Sequence, residues 1–473
     1  MSETKSHLPD MINYKAIPSF NGRYRYQRKP LSTPNSSSVA FTASGTQELI
    51  WRIPANQNFN LSRFRIEGFL NFGREVDKLV WVHENPASFI DRIMLTDGSG
   101  NNLIDLANAN NYVAALGPAL TTFGDLEVAD STSGLYMSES RATNLFPANV
   151  VMPAGYNAYG VTPSSTQVTS ITQPDIQYSR VGVKGIAGAG GAGALSVKRS
   201  IPLSIFKETI LAVDKDYISP VELQLSVWLA PSAKIGYMDV DTANAPTTFV
   251  AQPTLTDVYL YMAIQQDATL DAYTRQKYET TGIQFMYPHV QSFRIPSSAS
   301  APGTVTPMSF TVSMPPTYGK LLKRIVYAPF NAIETGPTAF DHSNMGGAKM
   351  FSYNTSLDSK KLQNDVISST QTAQDDYREN RPILHGSAIR NSASYYYNWL
   401  HIDSFCNPKH DITVPDDNVL EGVPMTEGGM PVTRQWVFEG GAAQNLVNHA
   451  WATFLRGVVF KKGQPFVEIM TTW

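Results

Sequence analysis

The sequence predicts an all-β protein built as two antiparallel sandwich halves, and three observations carry the prediction. Apolar residues recur with a period of two through most of the chain after residue 41, as half-buried strands require. Helical patterns are few and short, and they sit between strands as insertions, not as the crossovers of a parallel sheet. Of 473 residues, 42% are hydrophobic and 11% aromatic, yet only 16% are charged, with 32 Gly and 30 Pro. Soluble domains ordinarily carry about 25% charge. A chain this poor in charge, with its polar balance in Asn, Gln, Ser and Thr, suits a loop-rich β protein that buries surface against other subunits.

Residues 1–40 read as a basic arm. Lys5, Lys15, Arg23, Arg25, Arg28 and Lys29 stand against Glu3 and Asp10, a net +4, which leaves −7 for the rest of a chain whose total is −3. Within NGRYRYQRKP, Arg23, Arg25, Arg28 and Lys29 interleave with Tyr24 and Tyr26. That pattern is able to touch phosphate and stack on bases. It also fits a solvated tail or an arm wrapping a neighbouring subunit.

Beyond the arm the strands begin. Phe64, Ile66 and Leu70 alternate with Arg63, Arg65 and Glu67, and Leu223, Leu225, Val227 and Leu229 share a face. The pattern recurs from Asp257 to Ile264. A hairpin is legible in FIDRIMLTDGSGNNLIDL around Asp97-Gly98-Ser99-Gly100. Further strands are expected at QELIWRIP, VQSFRIP, SFTVSM, KRIVYAP and PFVEIM. Two short helices are expected, one from an Asp105 cap to Gly117 and one from an Asp267 cap to Gly282.

Two polar stretches interrupt the strand rhythm, at about 123–197 and about 333–393, and read as exposed insertions. A boundary falls in MDVDTANAPTTFVAQP, so the halves are 41–245 and 246–473. They share no convincing identity, and the repeat rests on layout alone.

Composition excludes several classes. A pI of about 6.3 rules out a globally basic nucleic-acid binder. The single cysteine, Cys406, excludes intrachain disulfides and multi-cysteine metal sites, and points to a reducing compartment. The N-terminal stretch has no apolar signal-like region and no run of 18 apolar residues occurs, so neither a secretory signal nor a membrane span is expected.

Tests for chemistry find no positive signal. Gly188–Gly193 formally matches GxGxxG, but Pro202 lies close behind and argues against the helix that a dinucleotide site needs, so a flexible loop is the better reading. His401, Asp403, Cys406, His410 and Asp411 form the one near-cluster; His401 and Asp403 would share a strand face, and a metal would still need a further fixed ligand. Packing is the simpler account. GxSxG and the P-loop are missing, and no carboxylate pair stands out. Tyr395–Trp399 and Leu79–Val82 are the densest aromatic and apolar runs, suited to core or interface, with a carbohydrate site as the alternative. No catalytic residue, metal site or cofactor is expected.

FIDRIMLTDGSGNNLIDLANANNYVAALG, Ile201–Met238, Leu255–Ser300 and PPTYGKLLKRIVYAPFNA form an ordered set of segments that resembles the double jelly-roll major capsid proteins of polinton-like viruses, adintoviruses and virophages. Ile201–Met238 is similar to the close of that family's first jelly roll, and Leu255–Ser300 to the opening of its second. PPTYGKLLKRIVYAPFNA resembles the family's G-x-LPKR strand, with Leu322 in place of the usual Pro. FIDRIMLTDGSGNNLIDLANANNYVAALG resembles its strand-turn-strand with a short helix after it. The resemblance covers roughly 45–120 and 200–335 in order, and rests on order and spacing more than on any single motif.

The resemblance implies two eight-stranded jelly rolls in one chain and a homotrimer of pseudo-hexagonal outline. Such trimers tile an icosahedral shell in the virion of a DNA virus, without catalysis. Implied partners are neighbouring capsomers and penton, minor or cement capsid proteins. The arm residues Arg23, Arg25, Arg28 and Lys29 would lie on the inner face, near genome or an inner membrane. The competing class is a carbohydrate-binding or carbohydrate-cleaving β-sandwich protein.

Overall fold

The computed structural model describes residues 24–32, 38–45, 47–73, 80–83, 86–120, 180–183, 194–239, 246–247, 251–300, 305–312, 321–331, 349–362, 401–405, 422–425, 429–439 and 444–470. The first half opens with β1 (Tyr24–Pro30), β2 (Ser38–Ala40), β3 (Glu48–Ile53), β4 (Asn58–Phe59), β5 (Arg65–Gly73), β6 (Val80–His83), β7 (Ile90–Asp97) and β8 (Asn102–Ala107). Helix α1 (Ala109–Leu120) precedes β9 (Arg180–Val183), β10 (Ala194–Pro202), β11 (Tyr217–Ile218), β12 (Leu223–Leu229), β13 (Gly236–Asp239), β14 (Pro246–Thr247) and the long β15 (Ala251–Gln265). Helix α2 (Ala268–Thr280) leads to β16 (Ile283–Ser300), β17 (Val305–Val312), β18 (Leu321–Asn331), β19 (Lys349–Leu357) and β20 (Lys360–Lys361). The chain continues through β21 (His401–Ser404), β22 (Val423–Pro424), β23 (Met430–Glu439), β24 (Gln444–Phe460) and β25 (Glu468–Met470).

The two halves repeat one topology. One four-stranded sheet runs β3-β12-β7-β8, and the path of a sheet in the second half runs β16-β24-β18-β21. Each places an early strand beside a late one, then two strands from between. The next strand inward pairs in the same way, β5 with β10 and β17 with β23, all antiparallel. Early strands wrapped against late ones are the Greek-key winding of a jelly roll. The repeat expected from layout is therefore present in the pairing of strands.

The predicted alternation sets the burial. Along β5 the pattern is strict: Ile66, Leu70 and Phe72 are buried while Arg65 and Phe69 lie outward. On β12, Leu223, Leu225, Val227 and Leu229 are buried as expected. The hairpin forms between β7 and β8, and α2 is capped as predicted, with the Asp267 carboxylate accepting from the Thr269 and Leu270 amides. Gly282 lies just past α2 at φ +81, a conformation that suits glycine.

Three expectations need correction. Asp105 does not cap α1; it lies within β8 and pairs with Arg92 of β7 at 2.6 Å, because the two stand across neighbouring strands. Gly117 lies inside α1 instead of ending it. The sheets also change over at α2, not near residue 246. Strand β15 belongs to the first half's seven-stranded sheet, where it pairs with β1, β2, β4 and β5. A strand's sheet is decided by long-range pairing, which composition near residue 246 does not encode.

A seam joins the halves. Every residue from Val447 to Phe460 is buried, because the β16-β24-β18-β21 sheet is covered on both faces. One face (Leu322, Ile325, Tyr327, Ala452, Phe454) meets Met308, Tyr353, Val432 and Trp436 of the facing sheet. Val326, Phe330 and Trp451 on the other face merge with the core of the first half, and Val458 and Phe460 at the end of β24 join that same core. Tyr217 stacks on Phe460 at 4.6 Å, and Tyr112 meets Trp451 edge-on at 5.6 Å. Polar clips reinforce it: Tyr287 Oη donates to the Leu103 carbonyl (2.9 Å), and the Val467 amide donates to Asp97 (2.9 Å). Glu208 accepts from Arg324 and Thr453 across the same seam.

Candidate assembly surface

The basic residues expected in the arm converge partly. Arg23 lies outside the described residues. Arg25, Arg28 and Lys29 sit in β1, which pairs with β15 along its whole length from Tyr24↔Gln265 to Pro30↔Tyr259. Two stretches of the span read as an arm, β1 and β2, are thus sheet strands, and Val39 is buried. By strand alternation Arg28 shares a face with Tyr24 and Tyr26, whereas Arg25 and Lys29 share the other.

The Arg28 face carries a ladder of stacked rings and guanidiniums. Arg28 lies over the Tyr259 ring at 3.3 Å, and Arg65 over Tyr261 at 4.9 Å and Tyr26 at 5.1 Å. Arg63 lies over Tyr24 at 4.9 Å. Each contact spends a guanidinium's flat face on a tyrosine and leaves its N–H edge for other partners. Arg65 uses that edge on Glu67 at 2.7 Å, and Glu67 also meets Lys198 at 3.3 Å. Tyr26 (47% exposed) and Phe69 (36%) are two of the five large apolar side chains exposed among the described residues.

The start of β1 is anchored. Tyr24 Oη donates to Asp216 at 2.6 Å, Gln265 Nε2 to the same carboxylate at 2.7 Å, and Asn60 Nδ2 to Asp214 at 2.7 Å. Burial works to raise the Asp214 pKa, but the Asn60 hydrogen bond and nearby Arg63 outweigh it and hold it below the usual carboxylate value. A cleft of about 380 Å³ opens beside this anchor, lined by Tyr24, Asp216, Tyr273, Lys277 and Phe285 among others.

The other sequence candidates fall apart as sites. His401 and Asp403 lie in β21, buried against the core: His401 meets the Tyr353 ring edge-on at 4.4 Å, and Asp403 lies 3.5 Å from Arg434. Arg434 is fully buried between Tyr327 (4.2 Å) and Tyr353 (4.3 Å) and donates to Thr355. Burial, with Asp403 beside it, raises the Tyr327 pKa well above its ordinary value. This is packing, with one buried cation boxed by rings. Cys406, His410, Asp411, Tyr395–Trp399 and the glycines of 188–193 lie outside the described residues. Directly after those glycines the chain enters strand β10, not the helix a dinucleotide site requires. Among the described residues, no group of three His, Cys, Asp or Glu side chains is placed to hold a metal. The sequence reading missed β24 and its buried His449 and Arg456, although nine of the fourteen residues from Val447 to Phe460 are apolar.

No family model and no curated protein matches the chain. Solved structures do, over nearly the whole length. A chain of the Sputnik virophage, solved by cryo-EM, superposes with a TM-score of 0.53 at 9% identity, covering 98% of this chain and 93% of that one. The Faustovirus major capsid protein gives 0.55 at 8%, covering 93% and 90%. A chain of the PBCV-1 virus capsid gives 0.51 at 8%, covering 94% and 96%. The chain has the double jelly-roll fold. The all-β class and the two-roll architecture expected from sequence are thus met. At such low identity the likeness concerns the path of the chain and not its side chains. The double jelly roll accounts for the repeated strand order and for a seam in which one sheet is buried on both faces.

Proposed function

We propose that the chain is a major capsid protein, a structural subunit without catalysis, and that three copies form a pseudo-hexagonal trimer that tiles an icosahedral shell. The observation that carries this reading is the repeat of one Greek-key winding in a single chain, matched along more than nine-tenths of its length by capsid chains. Two similar rolls side by side give a subunit two quasi-equivalent lobes, so three copies present six around an axis. Neighbouring capsomers and penton, minor or cement proteins would then be its partners, and the virion its location. The segment that carries Arg23, Arg25, Arg28 and Lys29 would lie at the inner side of the shell, near genome or membrane, with synthesis in a reducing host compartment.

Light scattering on a sizing column tests the subunit. A species near three times 52.1 kDa, about 156 kDa, that survives dilution supports it, and a clean monomer overturns it. Replacing Arg23, Arg25, Arg28 and Lys29 with Gln tests the inner-face role without deleting β1; assembly and packaging at the level of the intact chain would sink it.

A further inference from the structure

His449 stands at the seam with two cations, Arg294 and Lys234, near enough to act on its charge. On β24 it is 3% exposed, stacked on Trp451 at 5.6 Å and 16°, with the Phe330 ring edge-on at 5.2 Å. Directly opposite in the ladder is Arg294 of β16. From the first half, the buried Lys234 and the part-buried Asp91 of β7 complete the charged surroundings. Among the described residues no hydrogen-bond acceptor meets His449 Nδ1, so an imidazolium there would put a third positive charge into the buried seam beside Arg294 and Lys234.

We propose that His449 makes the seam between the two rolls acid-labile: it takes up a proton only when the seam opens, so acidification favours the open chain. The physical basis is linkage. Burial first, then Arg294 and Lys234, lower the His449 pKa to about 3, against an ordinary 6.5. The unfolded chain therefore binds a proton that the folded chain refuses. Stability is complete above pH 6.5 and falls as pH drops from 6.5 toward 3. Between pH 7.5 and 5.0 this single group lowers the folding equilibrium constant about 30-fold. Asp91 acts against the loss, since burial raises its pKa and it gains a proton more readily when folded. His289, part-buried with Arg456 Nη1 at 3.5 Å and its own pKa lowered to about 3, acts in the same direction as His449. The inference concerns the isolated chain and does not depend on its role in a shell.

Two measurements test it. Urea unfolding of the full chain and of His449→Gln, at pH 7.5 and 5.0, should show the variant losing about 30-fold less in folding constant between the two pH values; because Asp91 and His289 are common to both, their effects cancel. An equal loss in both proteins overturns the proposal. Should His449→Gln fail to fold, hydrogen exchange at the imidazole C2 position of the unmodified folded chain gives the answer by mass spectrometry. No titration of His449 above pH 5 supports the proposal, and a midpoint between 6 and 7 overturns it.

Discussion

Replacing Glu208 or Arg324 singly should weaken the molecule far more than replacing both. Glu208 lies in the first half between two short helical turns, and Arg324 in β18 of the second. Their side chains are 10% and 13% exposed, and Arg324 holds the carboxylate through Nε at 2.9 Å and through Nη2, while Thr453 Oγ1 adds a third bond at 3.2 Å. A pair this dry gains little against its own desolvation, but stranding one charge is costly. Arg324→Met leaves the carboxylate with the Thr453 hydroxyl, and Glu208→Leu leaves the guanidinium without that carboxylate. Each should cost about 3–5 kcal/mol. The double variant strands no charge and should lie within about 2 kcal/mol of the parent, so the coupling is several kcal/mol. The φ of +58 at residue 208 is present in all four proteins and cancels. Urea denaturation of the four proteins measures the cycle. Additivity to within about 0.5 kcal/mol, or single losses below about 1 kcal/mol as at exposed pairs, would refute the reasoning.

Other outcomes are open to the same denaturation assay. Phe460→Ala should cost about 3–5 kcal/mol, since the ring is fully buried between Tyr217 and Phe285; a loss under 1 kcal/mol would mean the seam is not packed as described. Asp267→Ala should cost about 1 kcal/mol by removing the cap of α2, whereas Asp267→Asn should cost much less. The Asp97 pKa is opposed by burial but held below its ordinary 3.8 by Ser99, Asn101 and the Val467 amide, so its contribution is present above that value and lost as pH falls further. Asp97→Asn should therefore flatten the stability profile below pH 4 and release the strand Glu468–Met470 first, a change visible in backbone hydrogen exchange.

The strands were legible because a half-buried strand writes its two faces into adjacent residues. That was enough for β5, β12 and the β7–β8 hairpin. It was not enough for β15, whose alternation is plain but whose sheet depends on β1, β2 and β5, the last nearly 200 residues away. Asp105 failed for a related reason: an Asp before a helix has the same local signature whether it caps the helix or meets Arg92 across a ladder. The candidate surface was half visible. The interleaved Arg and Tyr of β1 stood out, but Tyr259, Tyr261 and Arg65, which complete the ladder, become neighbours only through strand pairing. The seam was the largest omission. A sheet buried on both faces loses its alternation, and in β24 the apolar residues are interrupted by Asn448, His449, Thr453 and Arg456 with no period of two.

That seam also changes what the composition means. Low charge with many aromatics suits large contacts between subunits. Part of that apolar excess is instead used inside one chain, where Phe285, Phe330, Trp451 and Phe460 are buried between the rolls. A double sandwich needs such a third apolar layer even as a monomer, so composition alone does not argue for a shell. Assembly is favoured instead by the repeated winding shared with capsid chains, and that winding leaves Tyr26, Phe69 and the arginines over tyrosine rings on an outward sheet face. The same separation explains how 8–9% identity coexists with one fold. Winding and burial need apolar residues at alternate positions, and many side chains of suitable volume meet that need. A residue-by-residue comparison therefore finds little where the path of the chain agrees from end to end.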